Sequence, residues 1–278
     1  MMSRAHSADT PPSPANDLAP AALKPPLKWA GGKRWLVPKL ASMWRPHRDF
    51  RLVEPFCGGL AVALGLSPRR ALLNDVNPHP VNFYRHIQAG LKVRIPMRNE
   101  SALYYRHRSD FNRLVTGRGL ETRKAAELFY YLNRTGYNGL CRFNRKGEFN
   151  VPFGHHTRIN YTRDFGQYRG LLSTWCFDNV DFEQLPVGSG DFIYADPPYD
   201  VPFTQYAKNG FGWSEQERLA VWLSRHNGPV VLSNQATDRV IKLYRRLGFR
   251  LAFVDAPRMI SCTGDRSPAK EVIASRGL

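Results

Sequence analysis

An apolar run that stops on two prolines constrains this chain more than any other stretch in it. Phe192-Ile193-Tyr194-Ala195 has the length and β-rich content of a buried strand, and Asp196-Pro197-Pro198-Tyr199 ends it. Proline has no N–H to give to a ladder, so the strand stops there and a loop begins at its carboxyl end. In an open α/β sheet that edge is where ligands bind. The prolines fix two φ angles and leave a rigid turn presenting carbonyls, one carboxylate and one ring. That set suits an aromatic exocyclic amine, whose lone pair is delocalised into its ring. If Asp196 and the Pro197 carbonyl accept its two N–H bonds, the nitrogen moves toward tetrahedral geometry and the lone pair becomes available. Tyr199 supplies a stacking face, worth roughly 1–3 kcal/mol per base. Asp-Pro pairs also open ordinary turns, so the tetrapeptide alone leaves both readings standing.

The chain before this strand reads as the first half of a nucleotide-type sheet. Residues 1–26 are rich in Pro, Ala, Ser and Asp without periodicity and read as a disordered leader. Leu27-Lys28-Trp29-Ala30-Gly31-Gly32-Lys33 then leads into a helix over Arg34–Trp44, which puts Gly-Gly-Lys at a helix amino terminus, a favourable place for an anion. A phosphate-binding P-loop would need glycine where Leu27 stands and Ser or Thr where Arg34 stands, so an NTPase is rejected. Arg51–Glu54 is a short strand entering the turn Pro55-Phe56-Cys57-Gly58-Gly59, and Leu60–Leu66 continues as an apolar helix. Ala71–Asp75 is a second strand ending in an acid, placed for a ribose hydroxyl or for capping the next helix. After Asp196, Ser214-Glu215-Gln216-Glu217 reads as a capping box, Pro229–Asn234 as a buried strand, Thr237–Leu247 as a helix, and Phe249–Val254 and Glu271–Ala274 as closing strands.

Residues 91–164 interrupt the strand–helix rhythm. A helix over Thr122–Asn133 carries Ala125, Leu128, Phe129 and Leu132, and a segment dense in Arg, Asn, Tyr and Phe follows, from Asn133 to Gly154. Leu140–Phe143 and Glu148–Val151 read as two strands around the turn Asn144-Arg145-Lys146-Gly147, a ribbon of a size that enters the DNA major groove. A solvated surface hairpin is the plainer reading, but the entry Gly136-Tyr137-Asn138-Gly139 offers exposed Tyr and Asn, better suited to wedging or reading bases than to solubility. The formal charge of +17 over 278 residues points to a polyanionic partner. The four cysteines, at 57, 141, 176 and 262, are widely spaced, which excludes a zinc motif and a disulfide framework and fits a reducing cytoplasm. His155 and His156 have no spaced carboxylate or cysteine to complete a metal site. No apolar run approaches the roughly 18 residues of a membrane span.

In this order, Lys28-Trp29-Ala30-Gly31-Gly32-Lys33, Glu54-Pro55-Phe56-Cys57-Gly58, Asn133–Gly154 and Asp196-Pro197-Pro198-Tyr199 resemble the Dam-type, D12 class DNA adenine-N6 methyltransferases of bacteria and phages. The resemblance runs from Leu27 almost to the end. It implies an α/β S-adenosylmethionine-dependent methyltransferase fold: a seven-stranded, mostly parallel sheet with helices on both faces. The catalytic domain would span 27–90 and 165–278, and 91–164 would form a helical and β-hairpin DNA-recognition insert. It implies S-adenosyl-L-methionine contacts from Trp29, Lys33, Phe56, Gly58, Asp75 and Asp196, and catalysis by Asp196, Pro197 and Tyr199. It places Lys28, Tyr137, Asn138, Leu140 and Arg142 on double-stranded DNA, with Tyr137 inserting and Lys28 and Arg142 reading guanines of GATC, the target adenine being flipped out of the duplex. It further implies a monomer without metal. Where the family often carries a second glycine after Gly58 this chain has Leu60, and Gly59 is the expected substitute. Two rivals remain: a methyltransferase of RNA or of protein amide nitrogen, for which the basic aromatic hairpin has no use, and a DNA-binding relative with a dead cofactor pocket, at odds with the joint presence of Lys33, Asp75, Asp196 and Tyr199.

Overall fold

The computed structural model describes residues 23–200, 211–257 and 269–278. The leader as far as residue 22, the Phe203–Tyr206 stretch, Cys262 and most of the Met259–Ala269 loop lie outside them. Leu23 and Pro26, at the end of the leader, already pack against the protein, and the Lys24 carbonyl accepts the Tyr168 hydroxyl at 2.6 Å.

Val37–Trp44 (α1) precedes Arg51–Glu54 (β1), Ala61–Leu66 (α2), Ala71–Asn74 (β2) and Pro78–Gln88 (α3). Ser101–Val115 (α4), Arg123–Thr135 (α5) and Gly166–Leu172 (α6) follow, then Trp175–Asp178 (β3) and Asp191–Ala195 (β4). Trp213–Ser224 (α7), Val230–Gln235 (β5), Asp238–Arg246 (α8), Arg250–Ala256 (β6) and Ala269–Arg276 (β7) complete the described elements. They form one seven-stranded sheet in the order β3-β2-β1-β4-β5-β7-β6, with β7 antiparallel to both its neighbours and the other pairings parallel. The chain leaves β1 toward β2 on one side and comes back through β4 and β5 on the other. That reversal opens a crevice beyond the carboxyl ends of β1 and β4, the place where such sheets take ligands. β7 threads between β5 and β6 with Glu271 opposite Gln235 and Val254.

Strand residues alternate between two apolar layers. Leu52, Ala71, Leu73, Phe192, Tyr194, Val231 and Ile273 face the layer of α1, α3 and α5, while Val53, Leu72, Ile193, Val230, Leu232 and Val272 face α7 and α8. A sheet covered on both faces explains why these strands read as continuous apolar runs. Residues of α5 join the first layer: Phe83 of α3 stacks on Tyr130 of α5 at 5.2 Å, and both meet Phe165 edge-on.

Four expectations are corrected. The recognition segment forms no regular strand. Its turn closes through Asn144 N–H to Glu148 O (2.9 Å) and Asn150 N–H to Arg142 O (3.1 Å), with a single bridge pairing Phe143 and Phe149. Packing, not a ladder, holds it: Phe143 lies on His79 at 4.4 Å and 16°, and Asn112 brackets Phe149 through both its backbone groups. Ser214 does not cap α7, because the helix already begins at Trp213 behind Gly212, with no side-chain cap, and so takes Ser214 into its first turn. Asn77, not Asp75, caps α3, accepting from His79 N–H. Gly59 does not replace the missing glycine, since it is Leu60 that takes the left-handed conformation, at φ 61°. Periodicity does not signal α4 or α6; α4 mixes eight polar or charged residues in with its apolar positions, and α6 is too short to show a period.

Leu60 is 1% exposed, so its side chain is retained for packing at a backbone position that suits glycine. Leu60→Ala should lose about 2–5 kcal/mol of unfolding free energy. Leu60→Gly should lose roughly 1 kcal/mol less than Leu60→Ala, reversing the usual order of Ala and Gly, because glycine alone escapes the left-handed penalty. Urea unfolding of both variants measures the order.

Candidate active site

Asp196 stands at the head of β4, in the crevice beside β1. Its Oδ1 accepts the Ser233 hydroxyl of β5 at 2.7 Å, and Tyr194 in turn lies 3.0 Å from that hydroxyl. Its Oδ2 faces the Lys33 ammonium at 3.2 Å. Lys33 reaches it because Gly31, at φ 76°, turns the chain back on itself, and the Gly31 carbonyl accepts the same ammonium at 2.9 Å. Lys33 thus has the Asp196 carboxylate as its counter-ion and is only 4% exposed. Burial raises the Asp196 carboxyl, while Lys33 and Ser233 act against the rise.

The two prolines set the turn and buried amides brace it. Gln216 of α7 donates to the Pro198 carbonyl at 2.7 Å and accepts from Asn234 of β5, which also donates to Tyr244. Asp200, just beyond, pairs with Arg239 of α8. Pro197 is buried, and among the described residues its carbonyl has no donor. Tyr199 turns its ring toward Lys33, with the ammonium 4.6 Å from the centroid. Burial and then the charges of Asp196 and Glu271 raise its hydroxyl.

Two acids not singled out from the sequence as site residues complete this pocket. Glu271 of β7 lies 3.9 Å from Lys33, and Glu54, 3% exposed at the end of β1, leaves Oε1 without a partner. Burial raises both carboxyls, and the charge of Asp196 adds to the rise in each. The available signal for Glu271 was an acid opening an otherwise apolar closing strand.

Beyond the end of β1 lies a second cluster. The Trp29 indole rests against Gly58 and Gly59; a Cβ on Gly58 would fall 2.5 Å from its Nε1, and one on Gly59 2.7 Å from its Cβ. Asp75 accepts the Gly58 N–H at 3.0 Å and the Asn77 N–H at 2.9 Å, so its carboxylate is aimed by the glycine turn and by the start of α3. Burial pushes its carboxyl up from 3.8 to about 6, against those two hydrogen bonds. Val76 beside it is exposed. Phe56 instead leans toward Phe211 (5.4 Å, edge-on) and Phe182, on the α7 side of the sheet.

The residues expected on DNA form a separate, neighbouring surface. Lys28 exchanges backbone bonds with the Asn133 side chain (2.8 Å each), its Nζ donates to the Arg134 carbonyl at 3.1 Å, and its stem lies where a Cβ on Gly139 would be. This brings Lys28 against the Tyr137-Asn138-Gly139 turn, in which Asn138 takes φ 51° and Tyr137 is 51% exposed. Leu140 packs on the first apolar layer, and Arg142 is steadied by Asn150 through Nε (2.8 Å) and Nη2 (3.3 Å). His156 is not a loose surface residue: its Nε2 lies 3.1 Å from the Gly136 carbonyl at the entry of the same turn. Among the described residues no three metal-ligating side chains cluster, and no helix is long and apolar enough to cross a membrane.

A family model for D12 class N6 adenine-specific DNA methyltransferases matches residues 29–260, the span holding Trp29, Lys33, Asp75, the recognition turn and Asp196–Tyr199. The chain belongs to this family. Among its relatives, a retron Ec67 DNA adenine methylase of Escherichia coli is 33% identical, the match covering 90% of each chain. The DNA adenine methylase of Vibrio cholerae serotype O1 is 34% identical over 89% of this chain and 94% of its own. That of Escherichia coli K12 is 33% identical over 89% and 93%. The methyltransferase thus carries its two polar clusters at the carboxyl edge of the sheet, one on each side of the turn that follows β1.

The Asp75 carboxyl gives a pH test. A folded-state value of about 6 against 3.8 means the folded protein holds this proton more tightly than the unfolded chain. Its contribution to stability is therefore fully present below 3.8 and is lost as pH rises through about 6. Asp75→Asn removes the titration, so the unfolding free energy of the variant relative to the parent should climb in the variant's favour between pH 4 and pH 6. Urea unfolding at several pH values reads that difference.

Proposed function

We propose that this methyltransferase transfers a methyl group from S-adenosyl-L-methionine to N6 of adenine in duplex DNA, at GATC, with the target adenine turned out of the helix. The observation that carries the reading is Asp196 at the head of β4, tied through one oxygen to Ser233 and through the other to Lys33, with Tyr199 presenting its ring over the same ammonium. The family and the names of its relatives support adenine as the base methylated.

The residues beyond β1 suit the cofactor. Asp75, aimed by two backbone N–H groups, accepts from hydroxyls, the Trp29 indole offers a flat apolar face over glycines that leave room for it, and Lys33 and Asp196 offer both signs of charge. Gly58 gives that cluster its backbone N–H, and Phe56, two residues before it, would meet the cofactor from the α7 side of the sheet. S-adenosylmethionine supplies a methyl group on a positively charged sulfur. Asp196 and the Pro197 carbonyl accept the two N–H bonds of N6 and make its lone pair available. Tyr199 stacks on the base, and the proton released after N6 becomes alkylated leaves by way of Asp196. Raised by burial, that carboxyl is a better proton acceptor than an exposed aspartate.

Residues 91–164 act as the target-recognition insert. An adenine inside a duplex is out of reach, and extruding it costs a few kcal/mol. Tyr137, exposed on a turn braced by Lys28 and His156, is placed to fill the gap. Arg142, its guanidinium plane fixed by Asn150, and Lys28 read guanines, while Asn138 and Leu140 meet neighbouring bases. The net charge of +17 supplies phosphate attraction.

Methyl transfer from labelled cofactor to unmethylated plasmid, followed by mapping of the modified bases, tests this. N6-methyladenine confined to GATC is expected. N6-methyladenine at another sequence would overturn the specificity, and a loaded enzyme that leaves DNA untouched would overturn the substrate. Arg142→Ala should lose about 1–3 kcal/mol of discrimination between GATC and a site with one guanine replaced, read as the ratio of kcat/KM on the two. An equal fall on both sites would remove Arg142 from the reading role.

A further inference from the structure

Besides Glu54 Oε1 on β1, two buried polar atoms of the pocket stand without a partner of good geometry: the Tyr199 hydroxyl and Oε2 of Glu271. Both border the Lys33 ammonium, which lies 4.6 Å from the centroid of the Tyr199 ring and 3.9 Å from Glu271 Oε1, and burial raises the pKa of each. Asp196 is a second acceptor within reach of that hydroxyl, but each of its oxygens already holds another partner, Oδ1 the Ser233 hydroxyl and Oδ2 the Lys33 ammonium, whereas Oε2 of Glu271 holds none. The second oxygen of Glu271 lies 3.9 Å from Lys33, so the same carboxylate also competes with Asp196 for the ammonium. Leaving both atoms unpaired would cost about 1–3 kcal/mol for each, so a small adjustment that joins them is favoured.

We infer that Glu271 is a positioning residue for methyl transfer. Its carboxylate receives the Tyr199 hydroxyl, which sets the plane of the stacking ring, and it draws Lys33 partly away from Asp196, which leaves Asp196 an acceptor oxygen for the amine. This rests on the adenine-N6 reading above. Position 271 is far in sequence from the Asp-Pro-Pro-Tyr turn; only the antiparallel insertion of β7 beside β5 brings it there. The groups facing Glu271 are Lys33, Tyr199 and Asp196, with Glu54 facing Asp196 from β1.

The test is a double-mutant cycle of Glu271→Gln and Tyr199→Phe, with kcat, KM for a duplex carrying the target site, and the duplex dissociation constant measured for all four proteins. Glu271→Gln keeps the shape and removes the charge. Each single variant should lose roughly 10- to 100-fold in kcat, with the duplex dissociation constant within about twofold of the parent, because a ring that acts on the reacting base contributes little to groove binding. The double variant should be little worse than the worse single one. Independent, multiplying losses would overturn the inference, as would a Glu271→Gln protein with parental kcat. If Glu271→Gln unfolds, Tyr199→Phe alone decides: parental kcat overturns the inference, and a loss in kcat at unchanged duplex affinity upholds it. A parent that does not methylate adenine would instead sink the reading on which this rests, an outcome visible before any variant is made.

Discussion

The ammonium of Lys33 is the charge on which the pocket depends. It is almost wholly withdrawn from water and lies among Asp196, Glu271, the Gly31 carbonyl and the ring of Tyr199. Removing one partner of a buried pair is costly, about 3–5 kcal/mol, because the charge left behind has no water to turn to. Here the loss of Lys33 would strand Asp196 and Glu271 together, with Glu54 adding a third carboxyl from β1. The sheet makes this assembly possible: β1, β4 and β7 deliver one acid each to the same edge, and the Gly31 turn folds the lysine over them. Ser233 and Tyr194 then fix the direction of Asp196, so its orientation does not rely on the ion pair alone.

The second cluster is built by close approach. Gly58 and Gly59 carry no side chain because Trp29 occupies the space one would take, and Gly58 also gives its N–H to Asp75. One turn therefore sets the position of the indole and the aim of the carboxylate. Leu60, left-handed and buried, closes the same turn and packs beneath it, which links the geometry of this cluster to the first apolar layer.

The segment from Asn133 to Gly154 is held in place in a different way. It lacks a ladder, but Phe143 lies on His79, Leu140 and Cys141 join the apolar layer, and Lys28 and His156 clamp the Gly136–Gly139 entry. His79 is in the first turn of α3, two residues beyond Asn77, whose backbone N–H donates to the Asp75 carboxylate. The turn around Asn144–Gly147 and the Asp75 carboxylate thus rest on one helix terminus.

Local chemistry made much of this legible in the sequence. Proline ends a strand wherever it stands, so the Asp-Pro-Pro-Tyr turn at the head of a buried strand was readable, as were β1 with its glycine turn, the helix beginning at Thr122, and the basic, aromatic character of residues 91–164. Periodicity was too weak for α4, where charged residues interrupt the apolar stripe, and a turn with strand-like flanks was mistaken for a ladder because packing on His79 leaves no trace in its own residues. Ser233, Gln216 and Glu271 look like unremarkable members of a strand or helix until the sheet order is known. Which acids share Lys33, and that Leu60 takes the left-handed turn in place of a glycine, were decided by tertiary structure alone, since both depend on contacts between segments that only the folded sheet brings together.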